Sequence, residues 1–134
     1  MTEFIWVKDI KQYPHFFIEM FGNKEITKAL ELAIHSDDCD EWLLAVQGEK
    51  LLAFSGYEIQ RQVFVLKRAF VFSPYRKFGI YKMMLDMRIQ KAIESLKVNT
   101  IQATATPMSK NEFIKRGFKS LKQFKRFQTF RMML

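Results

Sequence analysis

The segment Phe70–Lys82 carries the residues best placed to do chemistry. It reads Phe-Val-Phe-Ser-Pro-Tyr-Arg-Lys-Phe-Gly-Ile-Tyr-Lys: an apolar strand meets Ser73-Pro74, turns through Arg76 and Lys77, and opens a helix near Gly79. Amides at a helix start have no partner within the helix, and the helix dipole favours negative charge there. Arg76, Lys77 and Lys82 add side-chain cations, so the turn is a candidate phosphate site. A plain turn into a core helix with solvated charges has the same composition, and the rest of the chain must decide between the two.

Other reactive groups are sparse. Cys39 is the single cysteine and lies in the acidic run Asp37–Glu41. It can form no internal disulfide and fits a reducing compartment, so a cytoplasmic location is expected. The only histidines, His15 and His35, are not spaced as a metal pair, and no metal is expected. The N-terminal Met1–Phe4 lacks a basic region followed by an apolar stretch, so no signal peptide is expected. No run is long enough to span a bilayer, and no membrane partner is expected. The net charge of +8 is compatible with nucleic acid, an acidic partner or a polyphosphate-bearing small molecule. It does not choose among them.

The elements that must position these groups belong to one domain, residues 1–134. At 49% apolar residues the chain has enough for a core, which excludes disorder. Glu3–Lys8 reads as a strand. His15–Phe21, entered through Pro14 and stopped by Gly22-Asn23, reads as a short helix, and Lys24–His35 as a second. The acidic run to Glu41 is expected to be a loop. Trp42–Gln47, Leu51–Ile59 and Val63–Phe72 form a predicted antiparallel meander.

From Gly79 to Lys97 the period changes to that of a helix. Tyr81, Leu85, Ile89, Ala92 and Leu96, widened by Ile80, Met84 and Ile93, make its apolar stripe, and Met83, Met84, Met87 and Met108 read as core filler. Asn99–Ala105 is expected to return parallel to Val63–Phe72 by a right-handed crossover. Ser109 and Glu112 form a candidate capping box for a helix ending at Gly117. Phe118–Leu121 and Phe124–Met133 are the last predicted strands, the latter with a bulge or a frayed end.

This order, βααβββαβαββ, together with Arg76-Lys77-Phe78-Gly79-Ile80-Tyr81 and Gly117-Phe118, resembles the GNAT family of acyl-CoA-dependent N-acyltransferases. The resemblance covers the chain and is strongest over Val63–Phe118. It implies an α/β (α+β) fold, a mixed and mostly antiparallel sheet with helices on both faces. It also implies acetyl-CoA as co-substrate and an amine as acceptor. By this resemblance Phe70 and Val71 offer strand amides to the pantetheine arm. Arg76, Lys77, Phe78, Gly79, Ile80, Tyr81 and Lys82 form the pyrophosphate turn.

The sequence departs from the family pattern at three places. The second glycine of the turn is Tyr81. The usual acid, a tyrosine of the short helix, falls on Phe113. The strand-four carboxylate falls near Val65. Glu58 and Ser109 are the remaining catalytic candidates, Glu58 as a base and Ser109 as a group that orders water or the thiolate. Three functions stay open: an N-acyltransferase, a non-catalytic binding or assembly protein of GNAT-like fold (for example viral), and a nucleic-acid binder. The third would use the interleaved Lys, Arg and Phe between Lys110 and Arg131, although an edge strand with Phe inward and Lys outward has the same pattern. The acceptor is not specified, and Met132-Met133-Leu134 fits either a monomer or a homodimer.

Overall fold

Trp42-Leu43-Leu44-Ala45-Val46 is apolar on both faces of its pleat, the pattern of a strand covered on both sides. The computed structural model describes residues 1–24, 26, 28, 34–107 and 109–134. It places this segment in β2 (Glu41–Gln47) of a seven-stranded sheet ordered β1-β2-β3-β4-β5-β7-β6. The other strands are β1 (Glu3–Val7), β3 (Lys50–Gln60), β4 (Val63–Val71), β5 (Thr100–Ala105), β6 (Lys119–Phe124) and β7 (Phe127–Met133). Among the described residues only β4 and β5 pair in parallel, as the crossover requires. The meander β2–β3–β4 is antiparallel, as expected.

Helices cover both faces. Trp42, Leu44, Val46, Leu51 and Phe54 pack with Phe16 and Met20 of α1 (Pro14–Phe21). Leu43, Ala45 and Ala53 meet Ile80 and Met84 of α2 (Ile80–Glu94), where small residues let the helix approach the sheet. Leu85 and Ala92 continue that layer over Tyr57, Phe64, Ile101 and Ala103, and Phe113 of α3 (Lys110–Lys115) closes it against Phe118 and Phe130. Among the described residues no helix is long and apolar enough to cross a membrane.

Several expectations are corrected. Most of the helix expected over Lys24–His35 lies outside the described residues, although Ile26 and Ile34 are buried. The acidic run is not a simple loop. Ser36–Asp38 forms a 3-10 turn, the Asp38 carboxylate accepts from the His35 amide (2.9 Å), and the Asp40 carboxylate accepts from the Ile59 amide (2.8 Å). Helix α2 stops at Glu94, not Lys97. Ser95 leaves helical geometry with ψ 119°, because Asn99 must reach Gln62 to start β5 (Asn99 N–H to Gln62 O, 2.9 Å). Leu96, expected in the apolar stripe, therefore lies beyond the helix and is exposed, and Ile93 and Met83, both within α2, are exposed as well.

Phe124 ends β6 instead of starting β7, because the chain turns at Lys125 with φ 55°. The irregularity expected in the last strand sits in its partner, between Ser120 and Lys122. At the C-terminus Met132 packs on the sheet, whereas Met133 and Leu134 are exposed.

Candidate active site

Strands β4 and β5 pair only from Val63↔Thr100 to Leu66↔Ala103, and β4 then runs on to Val71 without β5, paired only with β3. The cause is a bulge. Phe54 and Gly56 on β3 oppose Phe70 and Lys67, so β4 holds one residue more than β3 across this step. Arg68 takes φ 57° there, a left-handed conformation that costs a side-chain-bearing residue about 1–2 kcal/mol. Long-range contacts hold it in place. Arg68 Nε donates to the Asp38 carboxylate (3.1 Å), and Lys67 Nζ donates to the Asp38 carbonyl (3.2 Å) and to Glu58 (2.9 Å). A bulge bends its strand, and here it opens the gap between β4 and β5.

A cavity of about 300 Å³ fills that gap. Its walls are Val65–Ala69 of β4, Ala103 and Thr104 of β5, Thr106, Tyr81 and Arg88 of α2, Ser109, Phe113 and Phe127. Arg116 fastens α3 to α2 across one wall, donating to Asp86 (2.7 and 3.2 Å) and to Glu112 (3.0 Å).

The backbone of β4 is set by alternation. The Phe72 amide donates to Leu52 O (3.0 Å), and Phe70 pairs with Phe54. The Phe70 amide therefore turns to β3 as well, and Val71 faces the opened side. The Phe70 ring packs on Phe54 and Phe72. At the head of the gap the turn closes through Ser73–Tyr75, and Gly79 stands before α2 with φ 73° and no atom within 4 Å of an added Cβ. A glycine there lets a ligand approach the backbone closely. The amides of Ile80, Tyr81 and Lys82 are in the first helical turn and have no partner in the helix.

The turn's side chains are less concentrated on it than their spacing suggests. Arg76 folds back, with Nε donating to Val71 O (2.9 Å) and its guanidinium 5.5 Å from the Phe70 ring centre. Lys82 leans to Glu112 (3.8 Å). Lys77 and Phe78 are exposed. Tyr81 does not lie over the turn. It packs against the core clusters under the sheet and reaches the cavity. Burial raises the Tyr81 pKa, an effect partly offset by Arg88 and by a hydrogen bond with Ser109.

Ser109 is not the cap its sequence context suggests: it makes no capping hydrogen bond. Its hydroxyl accepts from the Thr106 amide (3.1 Å) and lies 3.3 Å from the Thr106 hydroxyl. The Glu112 carboxylate is taken by Arg116 instead of closing a capping box. Phe113 is buried, stacked on Phe130 (5.7 Å between centroids) and edge-on to Phe118 (5.2 Å). Val65 lines the cavity opposite Glu58 of β3, but Glu58 itself does not. Hydrogen bonds from Lys67 and Gln60 hold the Glu58 carboxyl below its usual range, which weakens it as a proton acceptor.

Sequence reasoning misses two cavity residues. It places Tyr81 in the apolar stripe of the helix and in the pyrophosphate turn, but not at the cavity that its side chain reaches. Arg88 interrupts the apolar stripe and is 1% exposed. Its Nη1 donates to Gly56 O (3.1 Å), and its Nε has no partner among the described residues. Cys39 is not a second nucleophile. It is buried against Gly56, where an added Cβ would stand 2.9 Å from the Cys39 Cβ, and burial pushes its thiol up to about 12. Phe113, Phe118 and Phe130 are 3%, 4% and 1% exposed, so none of these three can stack on a base.

No family model matches the chain, and no curated protein sequence matches it. Solved structures do match. An acetyltransferase of the GNAT family from Staphylococcus aureus superposes with a TM-score of 0.70 at 17% identity, covering 98% of this chain and 99% of that one. An acyl-CoA N-acyltransferase from Pseudomonas aeruginosa gives 0.74 at 14%, covering 98% and 99%. The Campylobacter jejuni N-acetyltransferase PseH in complex with acetyl coenzyme A gives 0.63 at 17%, covering 99% and 99%. The fold of this chain is the GNAT fold.

Proposed function

We propose that this protein is an N-acyltransferase that moves an acyl group, acetyl in the simplest case, from acyl-CoA to an amine. The observation that carries this reading is the gap between the parallel strands β4 and β5. It opens at the Arg68 bulge and leads to a helix start with free amides and a close-approach glycine. A thioester-bearing arm fits between the strands, with the Val71 amide facing it. The amides of Lys77, Gly79, Ile80, Tyr81 and Lys82 and the side chain of Lys77 would take the phosphates, whereas the Phe78 amide is already given to Tyr75 O (3.4 Å).

CoA supplies an activated thioester, and the chain supplies orientation and protons. The amine nitrogen forms a bond to the thioester carbon, the carbon–sulfur bond breaks, the nitrogen loses a proton and the sulfur gains one. The Tyr81 phenol, kept protonated by burial at the cavity wall, is the proton donor that Phe113 cannot be. No Asp or Glu lines the cavity among the described residues, so the amine enters as its free base. The single buried thiol fits a reducing, cytoplasmic setting.

Isothermal titration with acetyl-CoA tests the reading. Saturable binding with an upward thermal shift is expected, and no heat and no shift at millimolar ligand would sink it. The buried Phe113 and the ion-paired Glu58 favour a second reading, a CoA-binding protein without turnover. Binding with no release of free thiol across a panel of amines would select it.

A further inference from the structure

Arg88 occupies a place where Leu or Met would continue the stripe formed by Met84, Leu85 and Ala92. A guanidinium gives up far more hydration on burial than an apolar side chain, so its presence calls for a partner. The fold supplies only part of one. Nη1 has the Gly56 carbonyl, Tyr81 offers a phenol nearby, and Nε has nothing among the described residues.

The two other cations of the cavity differ in this respect. Lys67 is paired with Glu58, and Arg68 with Asp38. Arg88 has no carboxylate partner among the described residues, and none lines the cavity it faces. It sits eight residues beyond Ile80, about 12 Å along α2 from the phosphate turn, so it addresses a different part of a bound ligand.

We propose that Arg88 receives a carboxylate carried by one of the two reactants. It is either the free end of a dicarboxylic acyl chain on CoA or the carboxylate of an amino-acid acceptor. This rests on the acyl-transfer reading and narrows its substrate class. The planar donor fork of a guanidinium matches a carboxylate, and a buried fixed charge discriminates against a neutral isostere because the isostere leaves that charge unpaired.

The test uses the full chain and two matched ligand pairs, succinyl-CoA against butyryl-CoA and an amino acid against its amide. Affinity is read by calorimetry, and the Arg88 Nε–H signal by nitrogen-15 NMR, assigned by loss in Arg88→Met. In one of the pairs the carboxylate ligand is expected to bind about tenfold tighter or more and to move the Arg88 signal. Arg88→Met should abolish the preference while CoA affinity stays unchanged, and Arg88→Lys should restore part of it.

If CoA binds but neither carboxylate is preferred and the Arg88 signal is still, Arg88 holds water only and the inference is overturned while acyl transfer stands. If no form of CoA binds, the acyl-transfer reading fails, and free succinate decides the anion site by whether it moves the Arg88 signal. Should Arg88→Met fail to fold, the affinities of the matched pairs for the unaltered chain still decide between a carboxylate site and none.

Discussion

Arg88 and Lys91 lie three residues apart on α2, and their surroundings differ in one respect. Around Lys91 every charge has its counter-charge. The Glu41 carboxylate, 5% exposed, accepts from Lys91 Nζ (2.7 Å) and from the Tyr57 hydroxyl (2.7 Å), and Nζ stands 4.3 Å from the Trp6 ring centre. Around Arg88 there is one carbonyl, one neighbouring phenol, an unpartnered Nε and a cavity. A closed polar cluster sets register, since removing one partner strands the others. An open one leaves binding capacity that a ligand can use. The same helix therefore carries a structural cluster and a site.

This contrast gives an ordered set of expectations. The largest is in the closed cluster. Glu41→Ala should cost about 2–3 kcal/mol, because it strands the buried Tyr57 hydroxyl, whereas the partly exposed Lys91 ammonium can turn to solvent. Urea unfolding followed by circular dichroism measures it, and a loss below about 1 kcal/mol would mean that solvent already supports these groups.

Next is the cavity itself. Tyr81→Phe should lower the rate of thiol release about 10²-fold, near 2.7 kcal/mol of barrier, with CoA affinity unchanged. An unaltered rate would give the proton to water or to Ser109. Arg88→Met, in the open cluster, should leave stability within about 1 kcal/mol of the parent, since it removes a costly buried charge along with one hydrogen bond. A loss as large as that of Glu41→Ala would make Arg88 structural and erase the contrast.

The smallest effect is on acidity. Burial alone would raise the Asp38 carboxyl, but the His35 amide and Arg68 outweigh it and hold it below the usual range. Hydrogen bonds from Arg116 to Glu112 and from Lys67 to Glu58 lower those two as well. Groups lowered on folding add stability that is complete above their unfolded pKa and is lost as pH falls through their folded values. The urea midpoint should therefore be flat near neutrality and drop below about pH 4. Asp38→Asn should shallow that drop, and an unchanged slope would show that the clamp on the bulge does not titrate with folding.

The phosphate turn and α2 are legible in the sequence because their signals are local. Gly79, the basic pair before it and the 3.6-residue period that follows all lie within a few turns of chain. The parallel return of β5 is legible from the strand–helix–strand order. The Arg68 bulge is not. Nothing in Val-Leu-Lys-Arg-Ala-Phe marks it, because the extra residue is accommodated by Asp38, thirty positions away, and by the register with β3. The Ser109 cap fails for a related reason: Thr106 and Arg116 compete for Ser109 and Glu112, and a four-residue pattern does not contain them.

Sequence alone determined the succession of the strands and the helix that opens the anion turn, since periodicity, turn residues and crossover handedness act over short range, and the GNAT-like architecture followed from a resemblance carried by that order and the turn. Tertiary structure decided where β4 parts from β5, which way Tyr81 points and that Arg88 is buried beside a cavity. Those outcomes depend on desolvation and on pairing between distant segments, where a carboxylate at Asp38 or a missing side chain at Gly56 settles what a local pattern leaves open.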